Sequence, residues 1–427
     1  MTGTMELQNL IRSIVYEVKT VLRDDTLSLY YKIAFSILKI LCVCGFNLGR
    51  IYPEKRNRNP LLPPPIPTFS SLQNDVLEGA TDSAVHQQGE NKPSEAEKET
   101  DSSAVQSCDS KTHDSPGFNE LTTESAAAVE QSDFRPTVVV VIPVYVRTLQ
   151  QRKEVLELVT SLANQTYKPA QVLLVDDASP LQWYNIGTSV MPAQCGGEKQ
   201  QAEEVAASVK LPEGFKLIKC PKNHGPAAAR SLGLGLAMTE HQAQIVNFID
   251  SDCEADIHWV EAMVKAHYKE LVKSKTSAEG TMIGAILSGV TYAYGNTAVD
   301  KFHDHYGTLN GRIKINGEGL LYGPSCNISI RICKKLISEV GGFDESFPKA
   351  AFEDVDFCVR ANKCGILTQC AKDAKVWHKY GVSLPQLFRM FQRYGASEWA
   401  VLERHPEYME LYGASYHIPA QAPKVVT

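Results

Sequence analysis

The feature that most constrains this chain is a series of short, continuously apolar segments that alternate with helical patterns after Arg135. Such segments are typical of strands in a parallel sheet, because helices bury both faces of that sheet. The intervening segments repeat apolar residues every three or four positions, as an amphipathic helix does. This alternation predicts an α/β fold with a mostly parallel sheet flanked by helices. The predicted strands lie in TVVVVIPVY (137–145), QVLLVDDAS (171–179), FKLIKC (215–220) and QIVNFIDSD (244–252).

Acidic residues stand at the ends of two of these strands. Asp176 and Asp177 end the second strand, and Asp250 and Asp252 end the fourth. Open α/β sheets bind ligands at the carboxyl ends of their strands, so both pairs are expected to face one crevice. Carboxylates there suit Mg²⁺ or Mn²⁺, which would relieve the repulsion between neighbouring acids and bridge to nucleotide phosphates. Because Asp is also a common turn former, one Asp-x-Asp alone is weak evidence.

Residues 1–50 contain two helical patterns of different character. Residues 5–23 alternate apolar and charged positions at helical spacing and predict an amphipathic helix. Residues 27–48 are more apolar, but Lys32 and Lys39 interrupt them, and a lysine at the bilayer centre costs about 2.5–3.5 kcal/mol. We therefore predict a helix that lies on a membrane surface or binds a partner, with a membrane-spanning anchor as the alternative.

Composition changes twice more along the chain. Residues 51–134 are rich in Pro, Ser and Glu, cannot bury enough apolar surface to offset chain entropy, and predict a disordered linker. Residues 135–405 are predicted to form the folded domain, and residues 406–427 a C-terminal tail. The formal net charge of -6 gives no support for a nucleic-acid partner. Eleven scattered cysteines without a Cys-x-x-Cys pair are interpreted as reduced thiols.

An ordered set of motifs extends over residues 136–405. The motifs are, in order, VVIPVYVR, LLVDDASP, NHGPAAARSLGL, FIDSDC, GPSCNISIRICKKLISEVGGFDESF and AFEDVDFCVRANKCG. This set resembles the family-2 nucleotide-sugar glycosyltransferases, which have the GT-A fold, although Ser231 stands where that family usually has Asn. The segment FRMFQRYGASEWAVLERHPEY is similar to the mycofactocin-type branch of the family.

The resemblance implies a nucleotide-sugar donor and assigns residues to it. Asp177 matches the aspartate that contacts the base, and Pro143 and Tyr145 lie in the loop that walls the base. Arg230 would reach the diphosphate or hold an aspartate through a charge-assisted bond. Asp250 matches a residue that touches the ribose or the metal. Taken without the resemblance, Tyr145 equally fits packing on the core and Arg230 a surface position.

The resemblance also implies a cation, Mn²⁺ or Mg²⁺, and a catalytic base. Asp252 matches the direct metal ligand, Asp250 is a second candidate ligand, and His378 would complete the shell, although a lone His is more often structural. Asp354 matches the base that takes the acceptor proton, and Glu353 would orient the acceptor or assist. Acids are also favoured at a helix start by its dipole, which does not compete with catalysis. The implied reaction is a direct displacement with inversion, in which the metal stabilises the leaving diphosphate.

Two features narrow the predicted activity. The sequence QLFRM (386–390) stands where processive members of the family have Gln-x-x-Arg-Trp, so it lacks the tryptophan. This difference favours transfer of one or few sugars over synthesis of a long polymer. The expected sugar is of hexose type, and the acceptor is an unknown hydroxyl group on a glycan, a lipid-linked acceptor or a peptide. The alternatives are a degenerate module that binds a nucleotide sugar or a partner, and a nucleotidyltransferase. The second would need a Gly-rich, basic loop near the first strand, and IPVYVRTLQQR contains no glycine.

The order of helices, polar stem and folded domain also fits a Golgi transferase with a type II anchor. Asn164 and Asn327 lie in acceptor sequons for N-glycans. A glycan on Asn327 would obstruct the expected acceptor site, so the prediction is a cytoplasmic protein associated with a membrane at its cytosolic face.

Overall fold

A computed structural model describes most of the predicted folded domain and the N-terminal helices. The predicted linker lies outside the described residues except for three short pieces, and so does most of the predicted tail, so these two regions remain predictions. The described ranges are 2–51, 120–122, 130–184, 210–273, 282–313, 319–347, 350–381 and 383–408.

Ten strands of the described chain form one mixed sheet. They are β1 (Val138–Val144), β2 (Gln171–Asp176), β3 (Phe215–Lys219), β4 (Ile245–Ile249), β5 (Cys253–Ala255), β6 (Met282–Ala293), β7 (Arg312–Ile313), β8 (Leu320–Tyr322), β9 (Asn327–Arg331) and β10 (Ile366–His378). Their order is β3-β2-β1-β4-β9-β6-β10-β8-β7, with β5 paired to β10. The first four strands are parallel to one another, as are β6 and β10. Strand β9 runs antiparallel between β4 and β6.

Eight α-helices and one π-helical turn accompany the sheet in the described residues. They are α1 (Thr2–Leu22), α2 (Leu29–Ile51), α3 (Leu149–Ala163), α4 (Pro226–Thr239), α5 (Trp259–Lys273), α6 (Ala298–Tyr306), α7 (Glu353–Lys363), α8 (Leu384–Arg404) and the π-helical turn (Leu336–Val340). The predicted fold class, α/β with a mostly parallel sheet flanked by helices and preceded by N-terminal helices, is confirmed.

Burial on both faces explains the continuously apolar first strand. Val139 and Val141 belong to a hydrophobic cluster beneath α4, whereas Val138, Val140 and Ile142 belong to a second cluster beneath α3 and α5. Since successive side chains of a strand point to opposite faces, a strand between two helical layers needs apolar residues at every position. The strand ends are thereby fixed between two packed layers.

The core also recruits residues from the region predicted as a linker. Leu121 and Phe134 are buried in the cluster beneath α3 and α5. Arg331 donates a hydrogen bond from Nη1 to the carbonyl oxygen of Leu121 at 3.1 Å. These described residues of 51–134 therefore pack against the folded domain.

The N-terminal helices form a hairpin on the domain. Helix α2 packs against α6 and α8, and α1 packs against α2. Lys39 Nζ lies 2.9 Å from a carboxylate oxygen of Glu17 and 3.9 Å from the ring centroid of Tyr306, and both charged side chains are buried. The lysine that interrupts the apolar pattern is thus neutralised inside the protein. Among the helices described, none has the length and apolar character needed to cross a membrane.

Candidate active site

A buried arginine joins two acids at the centre of the site. Arg230 lies in the second turn of α4, is 2% exposed, and donates from Nη2 to Asp250 Oδ1 and from Nη1 to Glu353 Oε1, each at 2.6 Å. Burial works against its charge, but the two acids together hold the pKa of Arg230 above its ordinary value. Charge-assisted bonds of this length are strong and directional. Arg230 therefore ties the end of β4 to the start of α7.

The local sequence sets the position of α4. Gly225 precedes the helix with a φ of 94°, a conformation that favours glycine, and Pro226 begins the helix, where its missing N–H costs nothing. Asp177 accepts hydrogen bonds from the backbone N–H groups of His224 and Gly225 at 2.8 Å each. Burial raises the pKa of the Asp177 carboxyl despite these bonds. Asp177 thus anchors the start of α4, and its predicted contact with a donor base remains a proposal.

The other residues expected at the base lie near the ends of β1 and β2. Pro143 lies in β1 opposite Val175 of β2, and Tyr145 follows β1 and is 40% exposed. Asp176 accepts hydrogen bonds from Trp183 Nε1 at 3.0 Å and from the Ser179 N–H at 2.9 Å. The exposed ring of Tyr145 is therefore free to contact a planar ligand, whereas Asp176 holds the loop that follows β2.

The two acids at the start of α7 are placed by backbone donors. Glu353 Oε2 accepts from the Ala351 N–H at 2.7 Å. Asp354 Oδ2 accepts from the Ser325 N–H at 2.8 Å, and Oδ1 accepts from the Val355 N–H at 2.9 Å. Burial raises the pKa of both carboxyl groups. A carboxylate whose pKa is raised is a better proton acceptor, and this applies to both acids.

Backbone strain accompanies this arrangement. Phe352, immediately before α7, has a φ of 68°, which is uncommon for a residue other than glycine. Its ring meets that of Tyr394 edge to face, with centroids 6.3 Å apart. Such strain costs about 1–3 kcal/mol and persists only where surrounding contacts enforce it. Here it turns the chain so that Glu353 and Asp354 enter the site together.

A candidate cation site lies on the other side of Asp250. Asp252 Oδ1 is 3.3 Å from His378 Nε2, where the turn after β4 meets the end of β10. The Nδ1 atom of His378 is buried and has no hydrogen-bond partner among the described residues. An oxygen and an imidazole nitrogen at this spacing fit a divalent ion such as Mn²⁺. Cys253 is adjacent, but burial raises the pKa of its thiol well above the usual value, which keeps it protonated.

The expected metal ligands are therefore not equivalent. Asp252 and His378 face each other, whereas the nearest charged partner of Asp250 is Arg230, at 2.6 Å. Asp250 remains 27% exposed, so one face of its carboxylate is open to a ligand.

One cavity connects these groups. It has a volume of about 270 Å³, and its lining includes six of the nine residues predicted from the sequence. The aromatic residues Phe352, Phe391 and Tyr394 also line it. The three predicted residues that do not line it are Pro143, Tyr145 and Asp177. The six that do are Arg230, Asp250, Asp252, Glu353, Asp354 and His378.

A supporting network behind α7 was not predicted from the sequence. Asp356 accepts from Arg360 Nε at 2.8 Å and lies 2.9 Å from His405 Nε2. His405 Nδ1 lies 2.8 Å from Lys363 Nζ, which can only donate, so Nδ1 accepts there and Nε2 donates to Asp356. Asp356 and Arg360 stand one helical turn apart, and this spacing predicts their ion pair from the sequence. No local pattern links either residue to His405. The network joins the end of α8 to α7.

Comparison with known proteins shows what part of this chain is similar to. Residues 196–274 match the family model described as Glycosyl transferase family 2, a range that includes Arg230, Asp250 and Asp252 but not the acids of α7. The resemblance to family-2 nucleotide-sugar glycosyltransferases is thereby confirmed.

Two mycobacterial proteins are similar to part of this chain. The chain is similar to the "Pre-mycofactocin glycosyltransferase" of Mycobacterium tuberculosis strains CDC 1551 / Oshkosh and ATCC 25618 / H37Rv, with 27% identity over 197 residues in each. The match covers 45% of this chain and 38% of the length of these relatives. Among solved structures, the crystal structure of S. aureus TarS 1-349 aligns over 64% of this chain and 71% of that one, with 17% identity and a TM-score of 0.37.

Proposed function

We propose that this protein is a glycosyltransferase that moves a single sugar of hexose type from a nucleoside-diphosphate sugar to a hydroxyl acceptor, with inversion at the anomeric carbon. A UDP-sugar is the favoured donor, and the reaction is assisted by Mn²⁺ or Mg²⁺. The observation that carries the proposal is one cavity that joins the Asp252–His378 pair to the Asp354 carboxylate. Inverting transfer needs a cation-binding group at the leaving diphosphate and a base at the acceptor.

Asp252 and His378 would hold the cation, with the open face of Asp250 beside it. When bound, the cation would stabilise the negative charge that grows on the departing diphosphate. Arg230 would keep Asp250 in place and adds a fixed positive charge to the same side of the cavity. Because this cluster is preorganised by bonds of 2.6 Å, little reorganisation is needed when the donor binds.

Asp354 would accept the proton of the acceptor hydroxyl as its oxygen attacks the anomeric carbon. The bonds from the N–H groups of Ser325 and Val355 fix the carboxylate, and its exposure to the cavity leaves lone pairs for a substrate. Glu353 is held by Arg230 and the Ala351 N–H, so its part is to position α7 and orient the acceptor. This division of roles follows from the kind of protein partner that each acid has, since Glu353 pairs with a buried arginine whereas Asp354 accepts only from backbone N–H groups.

The donor base would lie beyond the cavity, toward the ends of β1 and β2. Tyr145 is exposed there and Pro143 precedes it, so both fit a wall for the base. Asp177 would accept from the base while it also anchors α4, since each carboxylate oxygen has a second lone pair.

We place the protein at the cytosolic face of a membrane. Asn327, in one of the two glycan sequons, is buried in β9, and its Nδ2 donates to the carbonyl oxygens of Val290 and Ala374 at 3.1 Å each. A glycan on this nitrogen is incompatible with the folded domain. Contact with a membrane surface through the N-terminal helices is a separate proposal, because it does not depend on transferase activity.

Incubation with a panel of nucleotide sugars and Mn²⁺ tests the activity. We expect release of a nucleoside diphosphate, with UDP-sugars the best donors, and a loss of about 10²–10⁴-fold for Asp354→Asn. The matched control is Asp373→Asn, which changes an exposed acid of β10. Release of a sugar 1-phosphate would instead indicate nucleotidyl transfer, and donor binding without turnover a binding module; either result would overturn the proposal.

A further inference from the structure

The outer side of the N-terminal hairpin is unusually apolar for a solvent-facing surface. Nine large hydrophobic residues of α1, α2 and their connection are exposed, with exposed fractions from 37% for Ile40 to 72% for Leu29. Single exposed hydrophobic residues are normal, whereas a grouped set marks an interaction surface. The nine are Ile11, Val15, Tyr16, Leu22, Leu29, Tyr30, Ile33, Ile37 and Ile40. We call this set the hairpin outer face.

The exposed residues follow helical periodicity, so they form stripes along the helices. Leu29, Ile33, Ile37 and Ile40 recur at intervals of four, four and three residues, which places them on one side of α2. The opposite side of α2, with Phe35, Leu38 and Cys42, is buried against α6 and α8. Helix α2 is therefore apolar on both sides, and the contact with the domain accounts for only one of them.

Charge on the hairpin identifies the kind of partner. The exposed charged side chains of the described hairpin are Arg12, Lys19, Arg23 and Asp25. Among the hairpin side chains that the structure describes, the other acids are already engaged, since Glu17 is buried against Lys39 and Asp24 pairs with His305 at 2.8 Å. The hairpin outer face thus combines an apolar surface with an excess of exposed positive charge, as helices that lie in the interface of an anionic membrane do.

From these observations we propose that the hairpin outer face docks on an anionic lipid surface, with the helices lying in the headgroup region. A second copy of the chain fits less well. In a two-fold dimer the same patch meets itself, so the cations of one copy would face those of the other.

Docking through this face would also bring the cavity close to the membrane. Helix α8, which packs on the inner side of α2, contributes Met390, Phe391 and Tyr394 to the cavity lining. Phe391 belongs both to that lining and to the cluster beneath α2. Helix α8 therefore connects the proposed lipid-docking hairpin to the lining of the cavity.

Cosedimentation of the full chain with vesicles tests the proposal without any need for activity. The probes are vesicles of phosphatidylcholine mixed with phosphatidylglycerol in equal proportion, and vesicles of phosphatidylcholine alone. We expect binding to the mixed vesicles that weakens as salt is raised, and binding at least about tenfold weaker for the variant Ile33→Asp/Ile37→Asp. Ile257→Asp is the matched control, because Ile257 is 51% exposed but lies outside the hairpin.

Three outcomes would overturn the proposal. The first is no sedimentation of the unaltered chain with either vesicle. The second is equal sedimentation of the Ile33→Asp/Ile37→Asp variant, whose fold is checked by an unchanged thermal unfolding curve. The third is a dimer in sedimentation velocity that this variant dissociates while lipid binding is absent, which would assign the hairpin outer face to a second copy of the chain.

Discussion

Replacing Arg230 by methionine removes the only cation that contacts Asp250 and Glu353 among the described residues, while it keeps much of the side-chain volume. The two acids respond differently, since the Asp250 side chain is 27% exposed and can be hydrated, whereas that of Glu353 is 3% exposed. Removing one partner of a buried pair typically costs about 3–5 kcal/mol, because the other charge is left uncompensated. We expect a loss of that size in the free energy of unfolding at pH 7.

The same variant should acquire a characteristic pH dependence. Burial raises the pKa of Glu353 above its unfolded value of 4.5, and loss of Arg230 raises it further. The folded variant then binds a proton that the unfolded chain releases, so stability is present at low pH and is lost as pH rises through the folded pKa. The difference in free energy of unfolding between the variant and the unaltered protein should grow by up to about 1.4 kcal/mol per pH unit.

Urea unfolding followed by tryptophan fluorescence at pH 6 and pH 8.5 measures both effects. The double variant Arg230→Met/Glu353→Gln is the control, because it removes the stranded acid and should recover most of the loss and the added pH dependence. Arg230→Lys keeps a charge but loses the two-pronged contact, so an intermediate loss is expected. An Arg230→Met protein within about 1 kcal/mol of the unaltered chain at both pH values would refute the central place given to this residue.

Three further predictions concern stability. Burial lowers the pKa of His267 to about 3, so below pH 6.5 the unfolded chain takes up a proton that the folded chain does not. The free energy of unfolding should therefore fall by roughly 2 kcal/mol between pH 6.5 and 4.5. In urea unfolding, His267→Gln should show a weaker dependence on pH over this range. Gly45→Ala would place a Cβ 2.6 Å from the Phe388 carbonyl oxygen. Calorimetry should therefore show a free energy of unfolding lower by about 1–3 kcal/mol. An unchanged melting temperature would contradict the packing of α2 on α8. Ala178 has a φ of 56°, so Ala178→Gly should raise the free energy of unfolding by about 0.5–1 kcal/mol. Ala163→Gly, at the end of α3, should lower it by a similar amount. If both variants changed the free energy of unfolding in the same direction, backbone strain at Ala178 would be contradicted.

The strand pattern and the residues at the strand ends could be predicted from the sequence. Uninterrupted apolar runs such as that around Val140 require two covering layers, and this constraint is local. The resemblance then assigned six residues that line one cavity in the structure. It did not say which aspartate Arg230 would hold, because a spacing of two residues at a strand exit does not fix whether Asp250 or Asp252 meets that side chain.

Long-range contacts account for what the sequence did not reveal. In the sequence, the charge of Lys39 is evidence against a helix that spans a bilayer. In the structure, Glu17 of the other N-terminal helix pairs with Lys39, so that the lysine side chain can be buried inside the protein. An amphipathic pattern reports the apolar side of a helix, not what covers it. Likewise His405 reaches Asp356 only because α8 folds back onto α7, a contact between residues 49 positions apart. Such pairings depend on tertiary packing, for which one sequence has no local signal.

The claim on which the proposed function depends is that Asp252 with His378 binds a cation, and Asp354 accepts a proton, in one cavity. Two measurements on the unaltered protein, Asp252→Ala and Asp354→Asn test this claim most directly. The first is calorimetric titration with Mn²⁺ and UDP, and the second is the rate of UDP release from a UDP-sugar. The account predicts that Asp252→Ala loses metal-dependent UDP binding, whereas Asp354→Asn keeps it and loses about 10²–10⁴-fold in rate. An Asp252→Ala protein that binds and turns over like the unaltered chain would contradict it.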